Sequence, residues 1–296
     1  MYNMTHPHPD PTLGHMLPNK FTGANSTIEM FATSAVSDSM QHIRTFYHHT
    51  IATPNNVAFH PQSNGFYITN DHGVFKAGIG HTLSPVLGTG DLTYCSAESE
   101  PTNCTKVAGG MKFPNGLHLS PSDGYLYVPS AVDGSVRVYR PEIKYPEHDH
   151  GEEHAHGGHG HSHDPKDAPY YDGSVELVTT IKTGYPIDNI SEDADGNIFA
   201  AALPNQGILK KFDNLDVKTV GAALKLKKGK WVVTPVEGPG GVSTAKGYYE
   251  YEVEKVLEDD ENELKGAWTT VVRDAMNGRF WMSGVVDEGI SVCLPK

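Results

Sequence analysis

No stretch of the 296 residues is apolar for long enough to cross a bilayer, because Gly, Pro or charge breaks every run. No membrane-spanning segment is therefore expected. The N-terminal MYNMTHPHPDPTLGHM lacks a basic region followed by an apolar one, so no signal peptide is read there. Basic residues are also few. The 23 Lys plus Arg against 36 Asp plus Glu give a formal charge of -13, and no basic cluster with interleaved aromatics offsets it. Repulsion disfavours nucleic acid and anionic membrane as partners, while a field of this sign suits cations. There is no Gly-x-Ser-x-Gly elbow of an α/β-hydrolase and no Cys/His spacing of a structural zinc site.

Cysteine is scarce, and its placement is informative. Cys95 and Cys104 share the polar stretch YCSAESEPTNCT, where they either close a small disulfide ring or stay reduced, and Cys293 stands alone near the C-terminus. Glycosylation sequons occur at Asn3, Asn25, Asn103 and Asn189. With the Cys pair they lean towards a secreted protein.

Three segments share one plan: PNNVAFHPQSNGFYITNDHGVF from residue 54, PNGLHLSPSDGYLYVPSAVDGSVRVY from residue 114, and PIDNISEDADGNIFAAALPNQGILKKF from residue 186. In each, an Asn follows Pro closely, an alternating strand follows, and a Gly-containing turn leads to a second apolar strand and then a third. That is a β-meander. A weaker fourth copy, GAWTTVVRDAMNGRFWMSGVVDEGISVC, has Thr269 and Thr270 where the others have Asn. Several strands per unit at a period of about 50 to 60 residues suggest propeller blades. The expected architecture is all-β, a single β-propeller domain over 1–296. Residues 1–20 read as a Pro- and His-rich coil. Helical periodicity is absent over most of the chain, with YEVEKVLEDDENEL at 251–264 ambiguous. The turn DADGN at 193–197 lacks the later Glu of a calcium loop and reads as a hairpin. EHDHGEEHAHGGHGHSHD at 147–164 cannot form a core and reads as a disordered insert between blades, with adventitious affinity for zinc, nickel or copper.

Blades surround a channel, so residues at one point of each repeat face one small volume. Asn55 or Asn56, Asn115, and Asp188 with Asn189 occupy that point. Amide and carboxylate oxygens are the ligands of a hard cation, and Ca²⁺ takes about six to eight of them. The competing reading of each Asn is a turn residue that caps local backbone. Three copies in register favour the metal.

These phrases, with ANSTIEMF at 24–31, LPNQG at 203–207 and the ending VVDEGISVCLP, resemble the serum paraoxonase and arylesterase family within the calcium-dependent six-bladed propellers. The resemblance covers residues 24–296. It implies a catalytic calcium on the channel axis held by Asn55, Asn115, Asn189 and Asp188 and by an N-terminal Glu. Asp188 is our choice of general base, acting when partly released from the metal, and His6, in MTHP, falls where one member of the family's His dyad would stand. A second, structural calcium would use the position of Asn56, where the family has Asp, so this chain has one charge fewer. The segment carrying the Glu ligand, the second dyad His and the Cys partner of Cys293 has no counterpart here, and the chain reads as N-terminally truncated. Leu203 falls where vertebrate members carry a pocket His.

The leading functional reading is a calcium-dependent hydrolase of lactones or aryl esters. The alternative is a truncated, non-catalytic propeller that binds divalent metals through channel Asn and Asp and through the His-rich insert. The expected partner is a small-molecule ester or lactone, and the expected location is the secretory pathway or outside the cell.

Overall fold

The computed structural model describes residues 8–9, 16–17, 23–36, 38–144, 170–204, 217, 219–237, 243–259, 268–285 and 289–294. The insert at 147–164 and His6 lie outside the described residues, as does most of the segment 1–20. Two short strands, β1 (His8–Pro9) and β2 (Met16–Leu17), pair antiparallel. β3 (Ile28–Ala32) and β4 (Gln41–Phe46) form a two-stranded sheet.

Three four-stranded antiparallel sheets then follow in chain order. The first contains β5 (Pro54–His60), β6 (Gly65–Asn70), β7 (Gly90–Ser96) and β8 (Cys104–Met111). The second contains β9 (His118–Leu119), β10 (Leu126–Pro129), β11 (Ser135–Lys144) and β12 (Tyr170–Lys182). The third contains β13 (Ile187–Glu192), β14 (Ile198–Ala202), β15 (Gly221–Glu237) and β16 (Ser243–Asp259). A three-stranded sheet closes the series with β17 (Thr270–Asp274), β18 (Arg279–Ser283) and β19 (Ile290–Cys293).

Sequence-adjacent strands pair throughout, and the first strands β5, β9, β13 and β17 neighbour one another in that order. This is the propeller arrangement, with inner strands round an axis and each sheet packed on the next. The four full or nearly full blades begin where the four repeats begin.

The core is divided among the gaps between sheets. Phe46 and Ile51 meet Phe66, Ile68 and the Cys95–Cys104 pair on one side of the first blade. Tyr67, Leu92 and Tyr94 meet Leu117, Leu126 and Val128 between the first and second. Val136 and Val138 meet Ile187, Ile198, Ala200 and Leu224 between the second and third. Ala201 and Ala223 leave room for Trp268, which is fully buried against Val271 and Met282 in the last gap. Each gap is apolar on both walls because strands sandwiched between two others bury both faces. β6 is buried along its whole length for that reason.

The sequence misses one element and leaves another open. α1 (Gly78–Leu87) interrupts the first blade between β6 and β7, ending on the left-handed Gly88. Its GIGHTLSPVL has two glycines, an internal Pro85 and no charge, so neither propensity nor charge pattern announces a helix. Residues 251–259 of the ambiguous segment are strand, the end of β16, because Tyr251, Val253 and Leu257 pair with β15. Cys95 and Cys104 are directly opposite on β7 and β8 and are joined by a disulfide. The DADGN turn is a hairpin in which Asp193 Oδ1 accepts from the Asp195 and Asn197 amides.

Candidate functional site

The inner strands bring the repeat motifs to one place. The Gly116 amide donates to the Asp188 carbonyl at 3.1 Å, and the Asn189 amide donates to the Thr269 carbonyl at 3.1 Å, so three repeats interlock by main chain. The first repeat joins through a side chain: Asn56 Nδ2 donates to Asn189 Oδ1 at 2.9 Å. Asn189 Nδ2 in turn donates to Asp188 Oδ1 at 3.0 Å and to the Thr269 carbonyl at 2.8 Å, with Thr270 Oγ1 at 3.3 Å. Asn115 is buried. Its amide donates to the Pro129 carbonyl, and its own carbonyl accepts from Thr69 Oγ1 at 2.6 Å.

The glycine of PNG has a specific reason to be there. A Cβ on Gly116 would stand 2.6 Å from Asn189 Cα and 2.8 Å from the Asp188 carbonyl oxygen. Only glycine lets the second repeat approach the third this closely. Asp188 is the one acid in this set. Burial raises its carboxyl pKa to about 7, as expected for a carboxylate drawn out of water. Among the described residues no cationic side chain makes an ion pair with it.

The first repeat contributes two Asn side chains with different partners. Asn55 Nδ2 donates to Asp71 Oδ2 at 3.2 Å, and Asp71 Oδ1 pairs with His72 Nδ1 at 2.7 Å. Thus Asn56, Asn189 and Asp188 are bonded into one group, while Asn55 is bonded to an Asp–His pair beside it. In TNDHG, Asp71 carries no signal beyond its place before His72. Leu203 is a buried core residue. Of the aromatics near the end of the chain, Phe280 packs on Phe199 at 5.4 Å, whereas Trp281, next along the strand, is exposed. A groove of about 450 Å³ lined by Ser122, Gly196, Asn197, Lys225 and Lys228 lies at the opposite end of β13 from Asp188 and shares no residue with the cluster.

The fold and site together define the class: an antiparallel β-propeller with carboxamide, hydroxyl and carboxyl groups gathered at the starts of its inner strands. A family model described as Arylesterase matches residues 16–146. Serum paraoxonase/arylesterase 2 of Gallus gallus is 28% identical over 206 residues, 68% of this chain and 48% of that protein. Serum paraoxonase/arylesterase 1 of Homo sapiens is 29% identical over 128 residues, 41% of this chain and 33% of that protein. These matches support the paraoxonase/arylesterase family for this chain, which spans less than half the length of either relative. A solved Bacteroides uniformis protein named for 6-phosphogluconolactonase aligns over 95% of this chain and 69% of its own, at 9% identity and a TM-score of 0.45.

Proposed function

We propose that this chain forms the metal-binding part of a calcium-dependent hydrolase acting on lactones or aryl esters. The observation that carries the reading is Asp188, a half-buried acid that no cationic side chain among the described residues pairs with, beside carboxamide and hydroxyl groups from repeats far apart in sequence. A carboxylate partly drawn out of water without a counter-charge is costly, and a hard cation offsets that cost best. The donors fit calcium: oxygen only, one of them formally charged, with neither thiolate nor imidazole among them. Asp188, Asn189, Asn115 and Asn55 would hold it, with Asn56 adjacent.

Calcium bound there supplies Lewis acidity towards an ester or lactone carbonyl. The remaining work belongs to the chain. Asp188 is the general base of this reading: burial raises its carboxyl pKa to about 7 in the calcium-free chain, and a carboxylate released from the cation would take a proton from an attacking water. Asn189 Nδ2, donating to Asp188 Oδ1, fixes the orientation of that carboxyl. The Cys95–Cys104 disulfide, and relatives named as serum proteins, support a secreted protein.

One observation favours the non-catalytic reading instead. The Asn56 amide already occupies Asn189 Oδ1, where a carboxylate at position 56 would leave that oxygen free for a cation. The two readings separate on hydrolysis of phenyl acetate and of a γ-lactone by the full chain, assayed with calcium, with excess chelator, and after calcium is restored. Turnover that disappears and returns is the expected result. Calcium binding without turnover would leave a metal-binding propeller, and absence of both would remove the proposal.

A further inference from the structure

The connection from β6 to β7 contains a single titratable group between Lys76 and Asp91, namely His81 in the middle of α1. Its ring lies flat on that of His72, with centroids 3.6 Å apart and planes 9° from parallel. Little else holds the helix down. Ser84 is its only buried residue, and Ile79 and Val86 are 80% and 70% exposed. The N-cap, Ala77, makes no side-chain hydrogen bond, and neither end carries a charge that suits the helix dipole.

The two ends of the connection are anchored independently. The His72 amide donates to Thr53 Oγ1, Thr53 Oγ1 donates to the Gly73 carbonyl, and Thr89 Oγ1 donates to the His72 carbonyl. The helix is tied to these anchors at its C-terminal end, where Ser84 Oγ bonds Thr89 Oγ1, so its N-terminal part can lift while both attachments hold. We propose that His81 is a proton-operated latch: neutral, it stacks on His72 and holds α1 against the first blade; protonated, it releases the helix and uncovers the Asp71–His72 pair beside Asn55.

The direction follows from the groups around it. His72 and Asp71 are the charged or titratable neighbours that act on the His81 ring. Asp91 and Lys112 stand further round the base of the loop, 3.7 Å and 3.5 Å from where a Cβ would lie on Gly73 and on Gly88. Burial, and then the His72 ring, hold the His81 imidazole below its ordinary pKa, while Asp71 pulls the other way. The docked helix therefore binds fewer protons than the released one. Docking is favoured above the ordinary His pKa and lost as pH falls through and below it.

The test is backbone hydrogen exchange of residues 77–88 in the full chain from pH 8 to pH 5, corrected for the intrinsic pH dependence of exchange. Strands β6 and β7 serve as the internal control. We expect protection of α1 to fall by up to about tenfold per pH unit between the ordinary His pKa and the lower docked-state pKa, the limit for one linked proton, and to level off below that, while the strands stay protected. His81→Phe, which stacks without titrating, should keep the helix protected across the range, and His81→Ala should leave it open at every pH. Three results would each overturn the latch: wild-type protection that does not change with pH, parallel loss in His81→Phe, or loss that occurs only together with the strands. None of these readouts requires catalytic activity, so the latch and the hydrolase reading fail separately.

Discussion

Asn56 and Asn189 stand 133 positions apart and are joined side chain to side chain, Asn56 Nδ2 donating to Asn189 Oδ1 at 2.9 Å. The bond ties the first repeat directly to the third. The second repeat reaches the same group by main chain, through Gly116 and the Asp188 carbonyl. A Cβ at position 116 must therefore displace either the Asn189 backbone or its carboxamide.

Gly116→Ala tests this closeness. We expect a destabilisation of about 1–3 kcal/mol, the usual range for forcing a methyl group into a packed site, together with loss of any stabilisation by calcium. The checks are urea unfolding and the shift in melting temperature on adding calcium. An unchanged midpoint with an unchanged calcium shift would mean that the strands do not meet as closely as the geometry requires.

How far such contacts are legible in sequence depends on whether they repeat. Asn55, Asn115 and Asp188 could be aligned because each precedes an alternating strand and a glycine turn, and that register places all three at the starts of inner strands. The four blades were readable for the same reason. Which of Asn55 and Asn56 faces the third repeat was not, because a bulge between Pro54 and Asn56 shifts the register there and alternation alone cannot resolve it. Asp71, His81 and α1 belong to an excursion found in one blade only. With no second copy to compare and no helical charge pattern, nothing in the sequence marked them.

The disulfide lends itself to a separate test. Cys95 and Cys104 close a short ring, nine positions in sequence, and both sit in the apolar gap between β3–β4 and the first blade. Ring closure of this size lowers the entropy of the unfolded chain by an amount equivalent to roughly 2–3 kcal/mol. Reduction should therefore lower the urea midpoint by a corresponding amount, and Cys95→Ala with Cys104→Ala should lower it further because burial of the sulfur atoms is lost as well. A midpoint that does not move on reduction would show that the cysteines are already thiols in the purified protein.

Asp188 gives the sharpest pH dependence. Its folded-state pKa is raised to about 7, above the ordinary carboxylate value of 3.8, so the folded protein binds a proton that the unfolded chain has already released. In calcium-free protein, the stability associated with this group is fully present below about pH 4 and is lost as pH rises through 7. Asp188→Asn keeps the shape but cannot ionise, so without calcium its advantage over the wild type in urea midpoint should be small at pH 4.5 and large at pH 8. With calcium the order should reverse at pH 8, because the cation is bound by the wild-type carboxylate and stabilises the state that holds it. Midpoints for the two proteins at pH 4.5 and 8, with calcium and with chelator, separate the terms. If Asp188→Asn gains nothing at pH 8 without calcium, the carboxylate is not buried unpaired. If the gain appears but calcium does not reverse the order, Asp188 is desolvated and is not a calcium ligand.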